Sequence, residues 1–402
     1  METFTGVPRG YVWAGATALA LVITACSSSP AATRPDSKSP ASTASSSPSS
    51  VVSTPGKPVT WAVATSAVAG GGMSALIAAA RREGTLNVIA LPPTFANYGT
   101  ILRTFGKLYH IKINQLEPDV TSQQEITQIK QRRGSGQAAD VLDVQAPVAV
   151  ANASLFAPYQ VATWSAIPAN QKAPDGAWVQ DYGGYMSVGY DPTRFGTITS
   201  LRQLLSRKFA HAIALDGSPA QATSALYGVM MANLALGGAP GNIATGVGFF
   251  RKLAMAGNLV SVPATTALTI KSGTTPVVIN WDYLNSAPVV GRSSNTWKIF
   301  IPAGAALGSF YAQAVNKDAP HPAAARLWEE YLYSQGRSGG QNLWLKGGVR
   351  PVEQAAMTAD HSVDSAMASV YPAIDGATTF LSPSQLAAAA RYLSAHWTKA
   401  VG

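Results

Sequence analysis

The sequence predicts an α/β protein folded in two lobes. Aliphatic, strand-like runs alternate with amphipathic helical segments between residues 86 and 144, and the same alternation returns between residues 201 and 301. Of the 402 residues, 47% are hydrophobic and 12% charged, enough to fill a large core without disulfides or metals. Strand, helix, strand in succession argues for parallel sheets joined by right-handed crossovers.

The elements follow in order. Ser74 is placed to cap a helix through residues 75–83 (ALIAAARRE), and Gly84 to end it. Residues 86–90 (LNVIA) form a short aliphatic run closed by Pro92 and Pro93, as a buried strand requires. Residues 97–109 place Ile101, Leu102, Phe105, Leu108 and Tyr109 at helical spacing, and residues 111–116 alternate as a strand. Ser122 and Glu125 have capping-box spacing ahead of Ile126 and Ile129, and residues 139–144 (ADVLDV) read as the next strand. In the second half a helix is expected around 201–205, a strand over 212–217, and helices over 219–236 and 247–255. Strands follow at 276–281 (PVVINW) and 297–301 (WKIFI). A helix begins at residue 322, and a last one starts with Ser382 as N-cap and Pro383 in its first position.

The first 72 residues predict no part of this core. Residues 12–25 form an apolar run of the length of a signal-peptide core, shorter than a permanent membrane span. It ends Ile23-Thr24-Ala25-Cys26, which resembles a bacterial lipobox, so residues 1–25 are expected to be removed and Cys26 to carry lipid. Residues 26–72 are rich in Ser, Pro, Ala and Thr and are expected to form a disordered tether reaching roughly 35–40 Å. Cys26 is the single cysteine, which rules out an intramolecular disulfide. The net charge of +9 is not gathered into basic clusters longer than pairs such as Arg81-Arg82, so no nucleic-acid partner is expected.

Several stretches from Ser74 to Val352 resemble the extracellular solute-binding proteins of ABC importers, in the branch holding iron- and polyamine-type binders. They include REGTLNVIA, ADVLDVQAP, YMSVGYDPTRF, DGSPAQATSALYGV, SGTTPVVINWDYLN and the long NKDAPHPAAARLWEEYLYSQGRSGGQNLWLKGG. The resemblance implies a two-lobed periplasmic-binding-protein-like fold (type II) with a ligand cleft between the lobes. One lobe would comprise residues 73–187 with 303–348 returning to it, the other 188–302 completed by 349–402. Crossings are expected near YMSVGYDP, near residues 301–309 and near 347–351. It also implies a small solute, a membrane ABC permease as partner, a lipid anchor holding a monomer on the outer face of the cell membrane, and no cofactor or metal.

Ligands in open α/β sheets sit beyond the carboxyl ends of strands. That rule selects Asn97 and Tyr98, Asp143 and Gln145, Asp181 and Tyr182, Asp216 and Gln221, the trio Trp281, Asp282 and Tyr283, and Tyr311. A Trp face beside a carboxylate suits a cation, and the resemblance supports Trp281, since polyamine-type relatives carry a Trp at the corresponding strand end. Polyamine binders usually also place a carboxylate on the second crossing strand, where residues 309–313 (SFYAQ) have none. Ferric binders use adjacent tyrosines, and this chain has no Tyr-Tyr pair. The ligand thus stays open among a polyamine or other small organic cation, ferric iron and a phosphonate.

A secreted hydrolase is the competing class. Residues 336–340 (GRSGG) match G-x-S-x-G, but Ser338 follows a predicted helix where a nucleophile elbow must follow a strand. No metal-binding His/Cys spacing and no phosphate-binding glycine loop appears, so no enzyme activity is expected.

Overall fold

The computed structural model describes residues 60–286 and 297–402. Cys26 and the expected signal peptide lie outside them. The first lobe opens with α1 (Met73–Glu83), β1 (Thr85–Ile89), α2 (Tyr98–Tyr109), β2 (Lys112–Leu116), α3 (Ser122–Gln131), β3 (Val141–Gln145), α4 (Ala146–Ala151) and the short β4 (Phe156–Ala157). The long β5 (Val179–Tyr190) then leads through α5 (Pro192–Phe195) to β6 (Ile213–Leu215), α6 (Thr223–Ala235), α7 (Ala244–Met255), β7 (Leu259–Val260), α8 (Ala267–Lys271), β8 (Val277–Trp281) and α9 (Asp282–Ser286). After β9 (Lys298–Phe300) the chain returns along β10 (Ala306–Asn316) to α10 (Pro322–Leu332) and α11 (Gly340–Lys346). It ends with β11 (Arg350–Pro351), α12 (Gln354–Ala359), α13 (Ser365–Ala368), β12 (Thr378–Phe380) and α14 (Pro383–Val401).

The strand order is β2-β1-β3-β10-β5-β8-β6-β7. β1, β2 and β3 are parallel, β10 runs antiparallel between β3 and β5, and β6, β7 and β8 are parallel. β5 belongs to both halves. Its residues 179–185 pair with β10, and Met186 to Tyr190 pair with β8. All twelve of its residues are buried, Gln180 and Asp181 included. The chain passes between halves again from β9, paired with β5 beyond Val188, into β10.

Apolar residues collect on either side of this shared strand. One core centres on Leu76, Phe105, Trp328 and Trp344; the other on Phe209, Met230, Phe250 and Ile279. α14 closes the second core with Ala389 and Leu393. Residues 60–72, assigned by composition to the tether, depart from that expectation. Trp61, Ala64 and Ala67 are buried in the first core, and the Arg326 guanidinium donates to the carbonyls of Ala62 and Ala64 at 3.0 and 2.8 Å. Trp61 has apolar area worth burying, and a buried arginine fixes the carbonyls beside it.

Helix starts differ from the sequence reading in three places. α1 starts at Met73 behind Gly72, not behind Ser74 as cap. The capping box of α3 is Thr121 with Gln124; the Ser122 hydroxyl instead accepts from the Gln145 amide. α6 begins at Thr223, four residues later than expected, because residues 218–222 turn back on themselves.

Candidate functional site

Strand ends from both halves meet around a cavity of about 130 Å³. β3 delivers Gln145, β5 delivers Tyr182 and Gly183, and β10 delivers Ser309, Phe310 and Tyr311. The register of β10 against β5 slips between Phe310 and Ala312, a bulge that lets consecutive residues of one strand border the space. From the other side come Trp281 at the end of β8, Tyr283 in α9, and Thr223, Ser224 and Tyr227 from the first turns of α6. Phe95 reaches in from the loop after β1, where Ala90, Ala96 and Asn97 all adopt positive φ. Left-handed non-glycine backbone is strained and is tolerated where surrounding structure holds it; here the Asn97 side-chain amide donates to the Leu343 carbonyl at 2.9 Å.

The cavity is an aromatic cage. Tyr182 and Tyr311 stack at 5.4 Å, Trp281 and Tyr283 lie nearly parallel at 6.3 Å, Tyr227 meets Trp281 at 5.1 Å, and Phe95 meets Tyr182 edge-on at 6.1 Å. Among the described residues none that lines it carries a formal charge. Burial raises the phenols of Tyr182, Tyr227, Tyr283 and Tyr311, for Tyr227 and Tyr311 against the opposing pull of hydrogen bonds to Ser309 and Gln145. At neutral pH the rings are therefore uncharged donors and π faces. α6 starts without a side-chain cap, so its first N–H groups and the Thr223 and Ser224 hydroxyls form the polar end of the site.

Five of the expected residues share this cavity: Gln145, Tyr182, Trp281, Tyr283 and Tyr311. The other expected residues lie elsewhere, each for a visible reason. Tyr98 is fully buried and donates to the Asp143 Oδ2 at 2.7 Å, and Tyr182 donates to the same atom at 2.9 Å. Asp143 and Asp181 therefore sit behind Tyr182, not in front of it. Asp216 binds the Thr265 amide and hydroxyl with one oxygen and the Ser224 hydroxyl with the other. Gln221 borders a separate cavity between β7 and α14. Asp282, expected to meet a cationic ligand, is fully buried; it accepts from the Tyr185 amide at 3.1 Å and forms an ion pair with Arg350. Phe95, Thr223, Ser224, Tyr227, Ser309 and Phe310 were not selected from sequence. Thr223 and Tyr227 stand one turn apart on α6, a signal that the expected earlier helix start concealed.

A larger cavity, about 670 Å³, lies between Arg350, Tyr185 and residues 352–378. It lacks contributions from the ends of β3 and β8, the strand ends at which ligands of such sheets are held. Among the described residues no group of three His, Cys, Asp or Glu side chains could hold a metal ion, and no helix is long and apolar enough to cross a membrane.

Comparison with known structures shows the same fold. An experimental structure from Bordetella parapertussis, described as an extracellular solute-binding protein, superposes with a TM-score of 0.65 at 15% identity, covering 80% of this chain and all of that one. Iron-bound HitA from Pseudomonas aeruginosa gives 0.54 at 18% identity, over 77% of this chain and 98% of its own. A protein from Listeria monocytogenes described as a spermidine/putrescine ABC transporter gives 0.54 at 11%, over 78% and 99%. No curated protein sequence matches the chain significantly. The family model described as bacterial extracellular solute-binding protein matches residues 140–371, more than half of the chain, from β3 through both crossings to Tyr371. A cleft of strand ends between two halves that share β5, the fold of periplasmic-binding-protein relatives and this match agree: the chain belongs to the bacterial extracellular solute-binding protein family.

Proposed function

We propose that the protein captures a compact organic cation in the aromatic cage and delivers it to the permease of an ABC-type importer. The cage carries this reading. A cation over the face of Trp, Tyr or Phe is attracted by the ring quadrupole, most strongly where water is excluded. Phe95, Tyr182, Tyr227, Trp281, Tyr283, Phe310 and Tyr311 all border one small space. Its volume of about 130 Å³ suits a molecule the size of benzene or choline. An extended polyamine has no lining carboxylate for its amines, because Asp216 and Asp282 are engaged elsewhere. The α6 start and the Thr223 and Ser224 hydroxyls suit a hydroxyl or carboxylate at the far end of the ligand. The protein acts by binding, without chemistry of its own. Cys26 is its point of lipid attachment, and a monomer leashed there faces the exterior.

A thermal-shift screen with choline, glycine betaine, spermidine, ferric citrate and fructose 6-phosphate tests the ligand class. Choline or betaine at about 100 times its dissociation constant is expected to stabilise the fold by about 2.7 kcal/mol. Trp281→Ala and Tyr283→Ala are each expected to weaken that ligand tenfold or more. Stabilisation by ferric citrate or the sugar phosphate alone would replace this ligand with theirs. Labelling of cells with an alkyne fatty acid is expected to mark the full chain and to miss Cys26→Ala.

A further inference from the structure

We infer that the buried pair Asp143 and Asp181, standing behind Tyr182, is the counter-charge of the cage and surrenders a proton when a cation enters. The inference rests on the cage reading. Asp143 is 3% exposed and Asp181 fully buried. Asp143 Oδ2 accepts from the hydroxyls of Tyr98 and Tyr182, while its Oδ1 has no hydrogen-bond donor among its neighbours. Asp181 accepts from its neighbour Tyr182's amide at 2.6 Å and from the Gln313 side-chain amide at 2.9 Å. Burial disfavours the charged form of both acids, and the charge of Asp143 raises Asp181 further, so the two titrate as neighbours with Asp143 the first to ionise. A proton on Asp143 removes the charge from its otherwise orphaned oxygen.

Among the described residues no cationic group offsets the pair. The titratable groups packed against it among the described residues are Tyr98 from α2, Glu125 from α3, Tyr182 from β5, Tyr311 from β10 and Tyr333 just past α10, all neutral or acidic. Glu125 accepts from the Asp143 amide at 3.1 Å, so it stands close enough to add negative potential. Burial pushes Asp143 up to about 7 and Asp181 up as well. Tyr182 is the partition: its ring faces the cavity and its hydroxyl holds Asp143. A unit positive charge on the cavity side of that ring lowers the titration of Asp143 by roughly one to two pH units. Asp143 then loses its proton to solvent, and the ligand gains a negative partner it never touches. A neutral ligand of the same shape gains nothing from this.

The sign follows from linkage. The free pair holds its proton to higher pH than the occupied pair, so affinity for a cation rises with pH between the two values and levels off above them. Titration calorimetry of the full chain with choline at about pH 6, in buffers of different ionisation heat, is expected to show release approaching one proton per choline. Affinity is expected to rise roughly threefold or more from about pH 5.5 to 7.5. The uncharged isostere 3,3-dimethylbutan-1-ol is expected to bind without proton exchange. Asp143→Asn is expected to abolish proton release and to weaken choline far more than the isostere, whereas Asp181→Asn, as a second variant, leaves Asp143 to titrate and is expected to retain release. Choline binding to the unaltered protein with no proton released overturns this inference and leaves the cage reading standing. Failure of choline to bind at all removes both.

Discussion

Arg350 and Asp282 form an ion pair in which neither side chain is more than 6% exposed. Arg350 also donates to the Pro372 carbonyl at 2.6 Å and lies over the rings of Tyr371 and Tyr185. Removing one member of such a pair leaves an uncompensated charge in the interior, whereas replacing both with apolar residues is often close to neutral. Arg350→Met is therefore expected to cost about 3–5 kcal/mol in urea unfolding, and the double variant Arg350→Met/Asp282→Leu to recover most of it. The same pair explains how far the site was legible. Strand position selected Trp281, Tyr283 and Tyr311, and all three border the cavity, Trp281 from the end of β8, Tyr283 just beyond it and Tyr311 from the bulge of β10. It could not tell a ligand-facing carboxylate from one consumed by a partner 68 residues away, as Asp282 is by Arg350. Asp143, Asp181 and Asp216 likewise have partners within the protein, in Tyr182, Gln313 and Ser224 respectively.

Gly183 and Gly184 lie in the middle of β5, where it passes from one sheet to the other. A Cβ on Gly183 would overlap the Ser309 carbonyl, and one on Gly184 would overlap the Asp282 carboxylate. Gly184→Ala is expected to destabilise by about 1–3 kcal/mol by pushing α9 off β5, and to weaken ligand binding because Tyr283 moves with it. A milder test concerns α10, whose first amides, Ala323 and Ala324, donate to the Glu83 carboxylate at 3.0 and 2.7 Å. Loss of this cap in Glu83→Ala is expected to cost about 1 kcal/mol in the same unfolding measurement. At this scale β1, β3, β6 and β8 were readable, since each is an aliphatic run between turn residues. β5 was readable only in part. Its opening VQDYGG has the composition of a loop, and nothing local shows that Gln180 and Asp181 would find Gln171 and Gln313 as partners. Long-range hydrogen bonds made that polar stretch a buried strand.

The whole molecule buries more acid than base. Burial pushes Glu329 up to about 8 and Glu353 and Asp143 up to about 7, from ordinary values near 4. Each of these groups binds more protons in the folded than in the unfolded chain between its two values, so stability falls as pH rises through that window. His321, raised by its hydrogen bond to Asp140, contributes in the same direction, since its stabilisation is present at low pH and fades as the ring loses its proton. The melting temperature is expected to be higher at pH 5.5 than at pH 8, with the gap narrowed in Glu329→Gln; a melting curve that improves toward pH 8 would contradict this. The two ends of the described chain are also anchored differently. The stretch before α1 is riveted to one core through Arg326, and α14 is sealed onto the other. Val68, at 87% exposure, and Lys399 thus ride on separate cores. Dyes attached at these two points form a built-in caliper, whose energy transfer reads any change in the distance between the two cores without a label near the cage.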